Sequence, residues 1–137
     1  MADFRYLLDA NILSDFIRNP GGRVKKRLAV VGEPMVCTSI VVACELRYGA
    51  MKKGSAKLAE RVDEVLTSLE ILPLDRDSDR HYAEIRTHLS RTGRSIGPND
   101  LLIAAHTLAL DLILVTANVD EFSRVPGLLI ENWLASS

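Results

Sequence analysis

The sequence predicts an α/β fold built on a mainly parallel sheet, and three observations carry that expectation. Strand-like runs recur at residues 6–8, 35–38, 70–74, 112–115 and 128–130. The first of them is apolar without alternation, as suits a strand covered on both faces. Helical apolar spacing fills most of the intervals between the runs, and strands alternating with helices are the pattern of βαβ units. One domain, 1–137, is expected.

The 137 residues suffice for one domain with a substantial core and are too few for two. A hydrophobic content of 47% lies well above a disordered composition, so compact folding follows. The formal net charge of -1 exerts no global pull toward nucleic acid or membrane. Any polyanion must therefore be met by a local basic patch or by metal ions. The N-terminus lacks the long apolar core of a signal peptide, and no apolar run is long enough to cross a bilayer. A cytoplasmic protein is the expectation. Cys37 and Cys44 lie in apolar segments and fit reduced core thiols better than a disulfide framework or a zinc site.

Taken in order, Tyr6-Leu7-Leu8 reads as a buried strand, and Ile12, Leu13, Phe16 and Ile17 form one face of a helix stopped by Asn19-Pro20-Gly21-Gly22. A second helix turns Val24, Leu28 and Val31 inward and Arg23, Lys25, Lys26 and Arg27 outward, a basic face that reads as solvated. Met35-Val36-Cys37-Thr38 is the second strand. Thr38-Ser39 opens a helix that carries Glu45 and runs to about Gly49, and Ser55 can cap the next. Residues 70–74 form a third strand, placed at a sheet edge because Pro73 donates no ladder hydrogen bond. Asp77 and Ser78 open a helix carrying Tyr82, Ile85 and Leu89. A loop with Arg91 and Arg94 follows. Pro98 begins a helix, apolar nearly all round, through Leu110. Leu112 to Val115 is the fourth strand, residues 122–127 a loop, and Leu128-Leu129-Ile130 a last short strand before Trp133.

Acids mark where chemistry could sit. Asp9 follows the first strand, at the edge where open α/β sheets bind ligands, although Asp there also caps helices. Glu45 shares a helical face with Val41, Val42, Tyr48 and Gly49, which is costly for a carboxylate unless it is paired or metal-bound. A salt bridge to a nearby arginine such as Arg47, or rotation of the face into solvent, is the simple alternative. Asp100 lies in the first turn of the most buried helix, where capping alone would explain it. Thr116, Asn118, Asp120 and Glu121 follow the fourth strand and read singly as turn residues. With parallel strands, Asp9, Glu45, Asp100 and Thr116 converge at one edge without a matched set of basic partners. Such an oxygen-rich cluster suits Mg²⁺ or Mn²⁺, which lets neighbouring carboxylates all stay ionised. His81, His88 and His106 show no zinc spacing with the cysteines. Ser14, Ser39 and Ser95 lack a nucleophile setting, and there is no Gly-rich phosphate loop.

Leu7-Leu8-Asp9-Ala10-Asn11, Ala43-Cys44-Glu45-Leu46-Arg47-Tyr48-Gly49, Gly97-Pro98-Asn99-Asp100-Leu101-Leu102-Ile103-Ala104 and Leu114-Val115-Thr116-Ala117-Asn118 occur in that order. Together with Glu121-Phe122-Ser123-Arg124-Val125-Pro126-Gly127, they resemble the PIN-domain ribonucleases, most closely the VapC-type toxins of bacterial toxin–antitoxin pairs. The resemblance covers essentially the whole chain. It implies a three-layer α/β/α fold with about five parallel strands and an acidic site that binds Mg²⁺ or Mn²⁺ and hydrolyses phosphodiester bonds in structured RNA, often transfer or ribosomal RNA. By position, Asp9, Glu45 and Asp100 match the three metal-holding acids. Thr116 matches the hydroxyl after the fourth strand, and Asn11 the polar residue after the first motif. A homodimer, and a small antitoxin silencing the site, are implied in the same way. This chain departs from many relatives in having Ala10 in place of a hydroxyl residue and Asn118 in place of a fourth acid. One or two metal ions thus stay open, with Asp120, Glu121 or an RNA phosphate to supply the missing anion.

The implied chemistry is metal-assisted hydrolysis, with Asp9 and Asp100 as ligands and Glu45 binding metal or orienting water. Arg47, Lys52, Lys53, Arg91 and Arg94 are candidate phosphate contacts, although each taken alone reads more readily as ordinary surface charge. Two other readings stand beside this one. A phosphoacceptor receiver module also places acids at strand ends, but no acid follows Asp9 and the fifth-strand region, Leu129-Ile130-Glu131-Asn132-Trp133, has no lysine. The other is a PIN-like fold that binds metal or a partner without catalysis.

Overall fold

The computed structural model describes residues 3–135. Five strands, β1 (Tyr6–Leu8), β2 (Val36–Ser39), β3 (Glu70–Leu72), β4 (Ile113–Val115) and β5 (Leu129–Glu131), form one sheet in the order β3-β2-β1-β4-β5. All four pairings are parallel, with Leu8 opposite Val115 and Val115 opposite Glu131. This order differs from the 2-1-3-4-5 order of receiver modules, which sets that alternative aside. Burial follows position in the sheet. Every residue of β1 and β2 is buried, whereas the edge strands β3 and β5 are only partly covered.

Between the strands lie α1 (Ala10–Arg18), α2 (Arg23–Val31), α3 (Ile40–Lys53), α4 (Ala56–Ser68), α5 (Ser78–Arg91), α6 (Pro98–Ala109) and the short α7 (Val119–Phe122). The chain leaves β1 for β2 and β3 on one side, then crosses to β4 and β5 on the other. Right-handed crossovers therefore put α1–α4 on one face and α5–α6 on the opposite face. Accordingly α1 packs on α2, α3 and α4, while α5 packs on α6. The result is a three-layer α/β/α sandwich. The strand order reverses between β1 and β4, and the crevice at that reversal opens at their carboxyl ends.

Several boundaries differ from expectation for identifiable reasons. Glu33–Met35 winds into a 3₁₀ turn around Pro34, so β2 starts at Val36. α3 passes through Gly49, a cost of about 1 kcal/mol against alanine, because Ala50 seats the next turn in the core. It stops at Gly54, whose φ of 64° suits glycine. β3 ends before Pro73. Val119–Phe122 forms a helical turn with Phe122 fully buried, where only turn and loop were expected. Cys37 is a core thiol, pushed by burial to a pKa of about 12. Cys44 corrects the expectation of two core thiols: it is exposed, because α3 packs through Val42, Ala43, Leu46 and Ala50 instead. No helix among the described residues is long and apolar enough to cross a membrane.

Candidate functional site

The ladder between β1 and β4 extends one residue past the strands, where the Asp9 N–H donates to the Val115 carbonyl at 2.9 Å. Likewise the Thr116 N–H donates to the Glu131 carbonyl at 2.9 Å. These bonds fix both side chains at the sheet reversal. Asp9 is 3% exposed and Thr116 fully buried. Asp9 does cap α1, its Oδ1 accepting the Ala10 N–H at 2.8 Å. The capping function uses one oxygen and leaves Oδ2 for the crevice. Thr116 Oγ1 donates to Oδ2 at 2.8 Å, and Asn11 Nδ2 approaches it at 3.4 Å. Asn11 also joins the loops, donating to Thr116 Oγ1 at 3.3 Å while its Oδ1 accepts the Ala117 N–H at 3.0 Å. The Asn118 N–H completes the set by donating to Thr116 Oγ1 at 3.0 Å. Burial lifts the Asp9 carboxyl above its ordinary pKa, with the Thr116 hydroxyl opposing that rise most strongly.

Glu45 lies half-buried in the second turn of α3. Burial raises its pKa, the charge of Asp9 adds to the rise, and the Asn99 side chain offsets part of it by donating a hydrogen bond. The salt bridge to Arg47 does not form: Arg47 turns to Asp63, at 3.3 Å and well exposed. Among the described residues the ion pairs are Arg18–Asp15, Arg27–Glu131 and Arg47–Asp63, and none reaches Asp9, Glu45 or Asp100.

Asp100 stands in the first turn of α6, behind the uncapped Gly97. Glu121 reaches across to that helix start, its Oε1 accepting the Gly97 N–H at 2.7 Å. Its Oε2 accepts from Asn118 Nδ2 at 2.6 Å. The Gly97 bond holds Glu121 below its ordinary pKa. Asp100 moves the other way, to about 7, raised first by burial, then by its hydrogen bond to Glu121 and by the charges of Glu121, Asp9 and Glu45. Asp100 thus keeps its proton up to a higher pH than an ordinary carboxyl does. Asn118, neutral itself, orients the acid that makes up the charge it lacks. Asp120 is exposed, with its carbonyl accepting from Ser123 Oγ, so Glu121 is the acid of that segment that joins the cluster.

Four carboxylates, Asp9, Glu45, Asp100 and Glu121, therefore act on one another at the sheet reversal. Among the described residues no group of three or more His, Cys, Asp or Glu is gathered closely enough to hold a metal ion as it stands. The donor chemistry still fits a hard dication, since Mg²⁺ keeps several waters and needs only a few carboxylates rather than a closed protein cage. Beyond burial, the raised pKa of Asp100 reflects the same repulsion that a dication would relieve.

The basic candidates divide. Lys52 and Lys53 are exposed in the last turn of α3. They follow Glu45 by two helical turns on roughly its face, about 10–12 Å along the axis. Arg91 and Arg94 are exposed at the end of α5 and in the loop leading to Gly97. Arg47 is occupied by Asp63. Two contributors went unrecognised in the sequence. Asn99 read as a turn residue, although its place beside Asp100 was a usable signal. Arg124 donates to the Ser95 carbonyl at 3.2 Å and its charge helps keep Glu121 ionised.

A family model described as the PIN domain matches residues 6–128. The ribonuclease VapC2 of Rickettsia felis is 37% identical over 130 residues, covering 93% of this chain and 97% of that protein. The tRNA(fMet)-specific endonuclease VapC of Shigella flexneri is 35% identical over 133 residues, covering 94% and 98%. Among solved structures, VapBC2 from Rickettsia felis bound to a DNA fragment from its promoter is similar with a TM-score of 0.88 at 36% identity, covering 95% of this chain and 99% of that one. DNA-bound VapBC from Salmonella typhimurium gives 0.85 at 34% identity, covering 95% and 98%.

Proposed function

Because the chain belongs to the PIN-domain family, within its VapC-type ribonucleases, we propose that it is a metal-dependent endoribonuclease and the toxin of a toxin–antitoxin pair. The observation that carries this reading is the cluster of four mutually repelling carboxylates at the sheet reversal, none of Asp9, Glu45 or Asp100 paired with a cation among the described residues. Asp9, Glu45, Asp100 and Glu121 are the residues that would hold Mg²⁺ or Mn²⁺, as one ion or two. When bound, the ion supplies Lewis-acid polarisation of the scissile phosphate and activation of water.

The chain's own residues do the rest. Thr116 and Asn11 fix Asp9 Oδ2 toward the crevice. Asn99 steadies Glu45, which binds the ion or orients water. The pKa of Asp100, raised by burial and by Glu121, would fall beside a dication, leaving its carboxylate free to hold the ion. Lys52, Lys53, Arg91 and Arg94 contact RNA phosphates, with Arg47 contributing once it leaves Asp63. The substrate class is structured RNA, transfer RNA or ribosomal RNA, and the Shigella relative's name favours transfer RNA. Structures of VapBC complexes support a cognate antitoxin. The working form is a single PIN domain over 1–137, dimeric and cytoplasmic.

The lack of a ready metal cage favours one rival, a catalytically weak module that binds metal or a partner. Incubating the purified protein with total RNA in Mg²⁺, Mn²⁺ or EDTA separates the two. Cleavage that needs the ion and is lost in Asp9→Asn supports the nuclease, and intact RNA under all conditions supports the rival.

A further inference from the structure

Glu45 and Asp100 belong to different helices, and the charge of Glu45 is one of the smaller causes that raise the Asp100 pKa. Their separation depends on how α3 is held against α6 beside the site. A buried side-chain pair links α6 to the residue that caps α3: His106 Nδ1 lies 2.8 Å from Ser39 Oγ, with the two residues 1% and 0% exposed. α3 begins on Ser39, whose Oγ accepts the Val41 N–H at 3.1 Å.

The Pro73 carbonyl also acts on the imidazole, opposing part of the fall in pKa that burial causes. One proton is shared between Nδ1 and the Ser39 hydroxyl, and the imidazole tautomer sets which of them donates. Nε2 is buried with no hydrogen-bond partner. An apolar side chain would fill the same space without that penalty. What the histidine adds is its bond to Ser39.

Sequence spacing ties the pair to the acids. His106 follows Asp100 by six residues in α6, and Ser39 precedes Glu45 by six. Thr38, the neighbour of Ser39, donates from Oγ1 to the Leu8 carbonyl at 2.7 Å, one residue before Asp9. Two successive buried hydroxyls at the end of β2 thus tie the start of α3 to the strand of Asp9 and to the helix of Asp100.

We propose that His106 is a positioning residue that braces α3 against α6 through Ser39 and so sets the separation of Glu45 from Asp100. Its effect on the ion and on RNA rests on the nuclease reading; the brace itself does not.

Two sets of measurements test it, with His106→Leu removing the bond and His106→Asn keeping a polar atom near the place of Nδ1. In EDTA, Glu45→Gln removes a repelling charge and raises Tm. With the brace in place that gain is full, and it falls by roughly half or more when His106→Leu is combined with it, as coupled rather than independent sites behave. His106→Asn restores it. Strict additivity of the two substitutions overturns the proposal. With Mn²⁺, calorimetric titration shows about ten-fold weaker binding in His106→Leu, the scale of lost support around a metal site. kcat falls in parallel while KM for RNA holds, and His106→Asn recovers both losses. Wild-type behaviour of His106→Leu, or equal losses in both variants, overturns the brace. Where the leucine variant does not fold, His106→Gln replaces it, since its polar atoms lie near Nε2 rather than Nδ1. A wild-type protein that neither binds Mn²⁺ nor cleaves RNA counts against the nuclease reading, and the EDTA comparison still decides the brace.

Discussion

The two halves of the acidic site are held by different forces. Around Asp9 the bonds come from neutral donors: the Ala10 amide, the Thr116 hydroxyl and the Asn11 amide. Around Asp100 the contact is between two carboxyl groups, and burial together with the nearness of Glu121 raises the Asp100 pKa to about 7. The first half is anchored by a sheet ladder on both sides and is nearly closed to solvent. The second rests on helix starts and a short turn, and is half-exposed. A site made this way has one fixed carboxylate and an adjustable pair whose charge follows what occupies the crevice.

The largest effect expected from breaking this contrast is in the fixed half. Asp9→Asn keeps the cap and the size of the side chain but removes its charge. RNA cleavage falls by on the order of 10³-fold, several kcal/mol of transition-state stabilisation. Circular dichroism should show an unchanged fold, and cleavage at the wild-type rate would remove Asp9 from the site. Thr116→Val keeps the shape and leaves Asp9 Oδ2 without its shortest bond, so Mn²⁺ affinity drops by about 10–100-fold. Thr116→Ser retains it.

In the adjustable half, pH is the probe. Asp100 has its pKa raised from 3.8 to about 7 in the fold, so its contribution to stability is full below the unfolded value and is lost as pH rises through the folded one. In EDTA its contribution to Tm therefore declines between those values, and Asp100→Asn or added Mg²⁺ flattens that decline. Glu121→Gln lowers the Asp100 pKa and weakens Mn²⁺ binding, whereas Asp120→Asn leaves both unchanged, as read by NMR titration and calorimetry. The smallest effects belong to the surface. Lys52→Ala and Arg94→Ala each raise KM for RNA modestly and reduce the salt slope of binding by about 0.7–0.9. Arg47→Ala does less, because Asp63 already occupies it.

The contrast also explains what the sequence revealed. The buried strand, the acid after it and the hydroxyl after β4 could be read because short apolar runs and strand-end polar residues are local signals, and the parallel sheet brings them together. Glu45 and Asp100 were legible from their places on helices. Glu121 could be suspected but not chosen over Asp120, because the choice depends on α7, a single turn anchored by buried Phe122. Asn99 acts on the Glu45 carboxyl, 54 positions away in the chain, by lowering its pKa, and Arg47 has its partner on another helix. Both depend on tertiary packing. Cys44 misled because an apolar neighbourhood in sequence did not indicate which side of α3 meets the core.

The central claim is that the four acids hold a divalent ion on which RNA hydrolysis depends. Its most direct test titrates Mn²⁺ calorimetrically into the metal-free wild-type protein while following cleavage of a structured transfer RNA in parallel. The account predicts that cleavage rises with occupancy of the site, is absent in EDTA, and in Asp9→Asn stays on the order of 10³-fold below wild type at every Mn²⁺ concentration that saturates the wild type. Equal cleavage in EDTA, or saturating Mn²⁺ binding in Asp9→Asn with undiminished cleavage, would contradict it.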